Sequence, residues 1–549
     1  MKKILLLILI FHSRVQAQQS AYTSIDSLLP VTGREAGPGF SIGIVKNGAL
    51  SYHKYAGMAN LEYNIPISDS SVFGLASLSK QFTAACIWVL IEQKKISLED
   101  DIRQYLPEFP DYGTTIKIRH LLNHTSGIRN YHTLMDLSGF DYDKQYHTNA
   151  DILALACRQK GLNNKPGEKV LYGNTGYTLL AIIIERISGE NLNSFAQKNL
   201  FQPLGMKQTR YITDYYAIIP NRAYGYAPQN GGYLQFPRNQ VTYGAGSMVS
   251  TIKDLAIWAE VLMRHNSAYK QLASFLTTQE VLPMGDTAEY ARGLMTDRYK
   301  GYKTIHHSGF ASGGQTQMLT IPELGTSVII LTNDVSINPG PLSYKVMDEL
   351  LPNAAARYAA QPKKSRDKVT KIPDQSVYAG TYIELNSDMR MDIIKNGDSL
   401  YARGAQAKQA VALTPLSNGS FCRRNNETVK YTFPTEHARE YDMSISFGGT
   451  PFYFKKVDFV APASVRPEDF SGKFYSEELS ATYDFKVEDN KLLFLHPLQG
   501  AMILTPTVKD AFGNGARVSY QFLRDDQGKV YAMLLAAEGT VKDIRFTKQ

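Results

Sequence analysis

Phe73-Gly74-Leu75-Ala76-Ser77-Leu78-Ser79-Lys80-Gln81-Phe82 is the stretch on which the reading of this 549-residue chain turns. Its first four residues are small or apolar and read as a strand-like approach. The apolar positions that follow, Phe82, Cys86, Val89 and Leu90, recur at helical spacing. A strand running abruptly into a helix exposes the side chain at the turn, which is how a nucleophile is presented. Ser77 and Lys80 lie three residues apart at the helix start, hence on one face and one turn apart. The helix N-terminus and burial both disfavour a protonated amine, so Lys80 is expected to lose its proton closer to neutrality than a free lysine and to activate the Ser77 hydroxyl. The spacing alone proves little, because Ser51/Lys54, Ser250/Lys253, Ser267/Lys270 and Ser365/Lys368 share it. Only Ser77 stands between a strand-like approach and a strong helix.

Outward from this turn, residues 39–55 read as two strands joined at Asn47-Gly48. Helical periodicity covers Gln81–Lys95, Ile152–Gln159, Gly176–Ile187 and Leu255–Arg264. Strands return at Met318–Ile321 and Ser327–Leu331, and a short helix at about Leu342–Leu351. Strand pair, helices, then strands again predicts an α+β domain over residues 18–353 whose sheet is closed by distant segments. Residues 354–374, with Pro362 and the charged run Lys363–Lys368, read as a linker.

Beyond the linker the segments are short, alternating and separated by turn residues, and they repeat. Tyr378-Ala379-Gly380-Thr381-Tyr382 returns as Phe470-Ser471-Gly472-Lys473-Phe474, and Phe454-Lys455-Lys456 as Phe546-Thr547-Lys548, both at an offset of 92. Leu413-Thr414-Pro415 returns as Leu504-Thr505-Pro506 at an offset of 91. Two tandem antiparallel β-barrels, over residues 375–459 and 467–549, are the expectation, since closure hides sheet edges. One larger sandwich is the alternative.

Lys2-Lys3, the apolar run Ile4–Phe11 and the small-residue pattern Val15-Gln16-Ala17 read as a secretory signal peptide over residues 1–17. The run stops short of the roughly 18 apolar residues a membrane span needs. The expected location is periplasmic or secreted, with no integral membrane span after cleavage. Removing that segment reduces the formal charge from +8 to +5, a weak case for nucleic acid. Cys86, Cys157 and Cys422 form no disulfide framework and no metal spacing. His306 and His307 are adjacent on a strand and so point to opposite faces, which argues against a metal pair. No cofactor is expected.

Three motifs stand in order: Ser77-Leu78-Ser79-Lys80, then Tyr172-Gly173-Asn174 after 95 residues, then His307-Ser308-Gly309 after another 135. With them come Leu121–Gly127, Leu200–Met206 and Gly244-Ala245-Gly246-Ser247. This set, spread over about residues 35–350, resembles the penicillin-recognising serine hydrolases: serine β-lactamases, D,D-peptidases, D-aminopeptidases and related esterases. Their signature is S-x-x-K, Y-x-N, then K-T-G or H-x-G. The resemblance implies a β-lactamase-like fold with Ser77 as acylated nucleophile and Lys80 and Tyr172 sharing the proton. A tyrosine titrating near about 10 needs a neighbouring positive charge to serve as base. The resemblance further implies that Asn174, His307, Ser308, Gly309 and Phe310 bind substrate, with the Ser77 and Phe310 N–H groups forming the oxyanion hole.

Histidine at position 307, where typical β-lactamases carry lysine, weakens the grip on a substrate carboxylate. In the family H-x-G is usual among D-aminopeptidases and esterases. A catalytic domain followed by two lipocalin-like barrels resembles D-aminopeptidase architecture, in which a barrel loop reaches the active site. The expectation is a serine hydrolase for short D-amino-acid peptides or other small molecules. An esterase with the same machinery and a non-catalytic ligand-binding or sensing protein are the alternatives. His124-Thr125-Ser126-Gly127 reads as a loop structured by its hydroxyls. Oligomeric state is not legible.

Overall fold

The computed structural model describes residues 22–351 and 375–549, apart from short stretches at 31–35, 143, 237–239, 264–268, 284–286, 386, 406, 418, 435–440, 447–450, 459, 461–464, 497, 499 and 516. The segments read as signal peptide and linker lie outside the described residues.

Six strands form one antiparallel sheet: β1 (Phe40–Lys46), β2 (Ala49–Ala56), β3 (Met295–Tyr299), β4 (Tyr302–Ala311), β5 (Gly314–Ile321) and β6 (Thr326–Thr332). Their order is β3-β4-β5-β6-β1-β2. The sheet is closed by distant segments, with β1 running against β6 from Phe40↔Thr332 to Lys46↔Thr326. Successive strand side chains point to opposite faces, and both faces of this sheet are covered. Phe40, Ile42, Ile44, Val328 and Ile330 pack with Ile25, Val346 and Met347, beneath the helical residues 22–28 and the helix Pro339–Leu350. Val45, Ile305, Met318, Ile329 and Leu331 belong to the other, larger core, shared with the helical cluster. There the helix Ile252–Met263 lies directly on β1. A Cβ on Gly43 would stand 2.4 Å from Ile252 Cγ2, so glycine at this position permits the close approach.

The helix Lys80–Glu92 runs through the centre of the helical cluster. Phe82, Ala84, Ala85, Cys86, Ile87 and Leu90 are fully buried, and so are the polar Gln81 and Thr83. Buried polar groups need partners: Gln81 Oε1 accepts from Trp258 Nε1 at 2.5 Å, and Thr83 Oγ1 donates to Gly244 O at 2.7 Å. The expected strand-like approach is shorter than its apolar pattern suggests. Phe73–Gly74 pair with Val249 and Ser250, and Leu75 N–H donates to Met248 O at 2.8 Å. Ala76 then turns the chain with φ at 50°.

Residues 380–457 and 472–548 form two closed barrels of eight antiparallel strands each, not one sandwich. In the first, Gly380–Glu384 closes on Phe452–Val457; in the second, Gly472–Ser476 closes on Val541–Lys548. Tyr382, Phe421, Tyr431 and Phe454 fill the first interior. Phe474, Tyr483, Phe485, Phe494 and Phe546 fill the second, whose core continues into Tyr131, Leu134, Met135, Leu137, Ile152 and Leu155 of the catalytic domain. The second barrel and the helix Tyr131–Ser138 therefore bury one apolar surface together.

Candidate active site

Ser77 lies in a 3₁₀ turn, Ala76–Ser79, that leads straight into the helix from Lys80. The left-handed Ala76 is one of several non-glycine residues near the site with positive φ, with His124 at 59° and Ser247 at 50°. Such conformations cost energy and persist where the surroundings over-determine them, which happens most at functional sites. Here the hydroxyl of Ser79 bonds to Ala76 O, and Leu78 N–H donates to Leu75 O at 3.2 Å.

Lys80 is 0% exposed. Its Nζ lies 2.9 Å from Ser77 Oγ, 2.8 Å from Asn174 Oδ1 and 3.0 Å from Ala245 O. It also sits 4.8 Å from the centre of the Tyr172 ring. Burial pushes the Lys80 amine well below the ordinary lysine value. The Ser77 side chain beside Tyr172 acts to lower its pKa, yet burial outweighs it and raises the value. The resemblance leaves the proton shared between Lys80 and Tyr172; burial here favours the protonated phenol of Tyr172 and the neutral amine of Lys80. Asn174 ends the motif at the N-terminus of the helix Thr175–Ser188, and its own N–H donates to Asn130 Oδ1 at 3.0 Å.

The third motif lies on β4. A Cβ on Gly309 would stand 2.3 Å from Leu75 O and 3.0 Å from Ala76 Cβ, so only glycine lets this strand run beside the turn that carries Ser77. Thr316, opposite Gly309 on β5, donates from Oγ1 to Leu75 O at 2.9 Å and ties the turn to the sheet. Ser308 is exposed and Phe310 is 68% exposed, so the motif presents both to solvent at the edge left free beyond β3.

His307 differs from the expectation that its side chain grips substrate. Its ring is 4% exposed; Nδ1–H donates to Ser308 O at 2.6 Å, and Nε2 accepts from Tyr290 Oη–H at 3.1 Å. Burial and the Lys80 amine push its pKa down to about 3, so the ring is neutral and both its nitrogens are engaged within the protein. It forms the wall of the site, 6.2 Å from the Tyr172 ring. His306 lies on the opposite face, beside Asp297 and Tyr344.

Two residues outside the three motifs, Tyr290 and His124, complete this wall. Tyr290 holds His307, and its ring packs on His124 at 4.3 Å and on Tyr172 at 5.7 Å. His124 packs on Tyr172 at 4.4 Å and bonds to Gly173 N–H through Nδ1 at 3.4 Å. The loop reading of residues 124–127 holds for the hydroxyls, since Thr125 Oγ1 donates to Asn123 Oδ1 and Ser126 Oγ accepts from Ile128 N–H. Nothing in the sequence around Tyr290 singles it out from the other 33 tyrosines.

The family model described as beta-lactamase matches residues 27–344, more than half of the chain. Penicillin-binding protein 4* of Bacillus subtilis is 29% identical over 418 residues, covering 72% of this chain and 90% of its own. A D-aminopeptidase of Gluconobacter oxydans is 23% identical over 424 residues, 76% of either chain. Among solved structures, an octameric penicillin-binding protein homologue from Pyrococcus abyssi shares the fold over 88% of this chain and 99% of its own, at 22% identity and a TM-score of 0.54. A D-amino acid amidase from Ochrobactrum anthropi shares it over 60% of this chain and 99% of its own, at 21% identity and a TM-score of 0.51. With Lys80 Nζ bonded to Ser77 Oγ and lying over the Tyr172 ring, and the match extending from residue 27 to 344, the chain belongs to the β-lactamase family of serine hydrolases.

Proposed function

We propose that the protein is an exported hydrolase that forms an acyl-enzyme on Ser77 and cleaves amide bonds of short peptides carrying D-amino acids. The observation that carries the chemistry is Lys80 Nζ, buried and 2.9 Å from Ser77 Oγ. A neutral amine there takes the hydroxyl proton as Oγ attacks the substrate carbonyl. The oxyanion forms between the Ser77 and Phe310 N–H groups. Tyr172, protonated and beside Ser77, gives its proton to the departing amine as the C–N bond breaks, and the proton on Lys80 restores it. Water then releases the acyl group by the reverse sequence. The D-aminopeptidase and D-amino acid amidase among the similar proteins support the substrate class, as does the neutral His307, which offers no cation for a terminal carboxylate.

Incubating the full chain with a fluorophosphonate and measuring intact mass tests the nucleophile: one adduct, absent in Ser77→Ala, is expected, and no adduct on the native chain removes the enzyme reading. Matched D-amide, L-amide and ester substrates test the class; an ester-only profile removes the peptidase reading in favour of an esterase. Ligand sensing through the barrels is disfavoured by interiors filled with aromatic side chains. Export predicts that protein recovered outside the cytoplasm begins at Gln18, and recovery with residues 1–17 intact would remove it.

A further inference from the structure

The second barrel meets the catalytic domain at the loop that feeds the active site. Arg129 Nη1 and Glu478 Oε2 are 2.5 Å apart in an ion pair whose side chains are 2% and 4% exposed. Glu478 also accepts from Lys160 N–H at 2.7 Å and Arg545 N–H at 3.4 Å. Arg129 also donates from Nη1 to Gln159 Oε1 at 3.0 Å and from Nη2 to Lys542 O at 2.7 Å, while its buried Nε has no hydrogen-bond partner among the described residues. Beside the pair, the hairpin tip at Thr540 is held from three sides. Its carbonyl accepts from Asn163 Nδ2 at 2.7 Å and from Asn130 N–H at 3.3 Å, and its hydroxyl lies 3.0 Å from Thr133 Oγ1. Asn163 Oδ1 accepts in return from Lys542 N–H at 3.1 Å.

These contacts end on the reacting groups. Thr175 Oγ1 donates to Arg129 O at 2.7 Å and accepts from Tyr131 N–H at 2.8 Å. Asn130 Oδ1 receives the Asn174 N–H, and Asn174 Oδ1 receives Lys80 Nζ. A continuous path of hydrogen bonds therefore runs from Glu478 and Thr540 in the barrel through Arg129 and Asn130 to Asn174 and Lys80. Single buried ion pairs are weak evidence for stability, because desolvation offsets attraction, and their best-attested use is to fix one arrangement among several.

We infer that Glu478 and Thr540 of the second barrel are positioning residues for the hydrolase reaction, holding the loop 129–130 so that Asn174 stays against Lys80. The inference rests on the reading of Ser77 as the acylated nucleophile. Loosening this loop would misplace Asn174 and admit water to Lys80, whose surroundings are Ser77, Asn174, Ala245 O and the rings of Tyr172 and Tyr177, with His124, His132 and His307 close enough to interact with it electrostatically. Rehydration moves the amine back toward its ordinary value, so the acid limb of the acylation rate should shift to higher pH. An interface that merely stabilised the fold would not move that limb.

The test compares the full chain with Glu478→Gln, Thr540→Ala and Glu477→Gln. Glu477 pairs with Lys160 at the same interface but is 71% exposed, so its variant controls for surface charge. The readouts are the rate of fluorophosphonate labelling of Ser77 between pH 5 and 10, and kcat and KM for a p-nitrophenyl ester. Glu478→Gln should slow labelling and kcat about ten- to a hundredfold, as small misplacements of reacting groups do, with the acid limb moved upward. Thr540→Ala should show the same upward shift with a smaller loss, and decides the matter if Glu478→Gln does not fold. Glu477→Gln should match the native chain. Native labelling with rates and acid limbs unchanged in both barrel variants would overturn the positioning role. No labelling of the native chain would overturn the hydrolase reading instead.

Discussion

An alanine at position 309 would press its Cβ against the Leu75 carbonyl, so the strand and the Ser77 turn would have to part. Because one oxyanion donor is expected from each side of that contact, Gly309→Ala should lower kcat/KM about 10²- to 10³-fold, with circular dichroism unchanged. Near-native turnover would show that the two backbones do not cooperate. Lys80→Arg makes a complementary test. Arginine cannot lose its proton in a protein and so cannot accept the one on Ser77; ester turnover should fall about 10²- to 10⁴-fold if Lys80 is the base. Retained activity would assign the base elsewhere. The Ser77 and Lys80 pairing was legible in the sequence because one turn of helix is a local relation. The direction of the proton was not, because it depends on burial contributed by Asn174, Ala245 and Tyr172, which come from distant parts of the chain. Nor was the inward turn of His307, which depends on a hydroxyl from Tyr290.

At the scale of elements, β4 shows why part of the sheet escaped notice. Ile305, His307 and Gly309 share its site-side face while Tyr302 and Thr304 lie on the other, so the site-side face carries histidine and glycine where alternation would call for apolar residues. Those residues serve the site, and the periodicity that marks β5 and β6 is lost. The two barrels were legible because each strand pattern occurs twice, and their closing strands Phe452–Val457 and Val541–Lys548 occupy equivalent places. Tyr290 and β4 can be tested together. Tyr290→Phe leaves His307 Nε2 buried without its donor, which costs about 1–3 kcal/mol for an unsatisfied polar group. The urea midpoint should fall accordingly, and an unchanged midpoint would mean that the hydroxyl contributes nothing to the wall of the site.

The molecule as a whole joins its catalytic domain to the second barrel through residues far apart in sequence, Arg129 with Glu478 and Leu137 O with Tyr483 Oη–H at 2.7 Å. No local pattern foretells such pairs, and apolar residues of the helix Tyr131–Ser138 read equally well as belonging to a core within one domain. The same interface carries a cluster of neutral histidines. His147 is 1% exposed among Tyr131, Phe140 and Tyr142, with both ring nitrogens lacking a hydrogen-bond partner. Burial pushes its pKa down to about 4, opposed by Asp151, and pushes neighbouring His132 to about 4 with help from His147 and Lys80. The unfolded chain binds these protons at an ordinary pKa of about 6.5, and the folded chain only near 4. Between those values the unfolded state holds more protons, so the histidine contribution to stability is complete above pH 6.5 and is lost as pH falls toward 4. Buried carboxyls with raised pKa values, such as Asp136 and Asp254, pull the other way, so a variant must isolate the histidine effect. His147→Phe fits the aromatic surroundings and removes two unpartnered nitrogens. Its urea midpoint should exceed the native one at pH 7, and the difference should widen as pH falls from 6.5 to 4. A difference that stays constant across that range would exclude His147 as a source of acid sensitivity at the barrel interface.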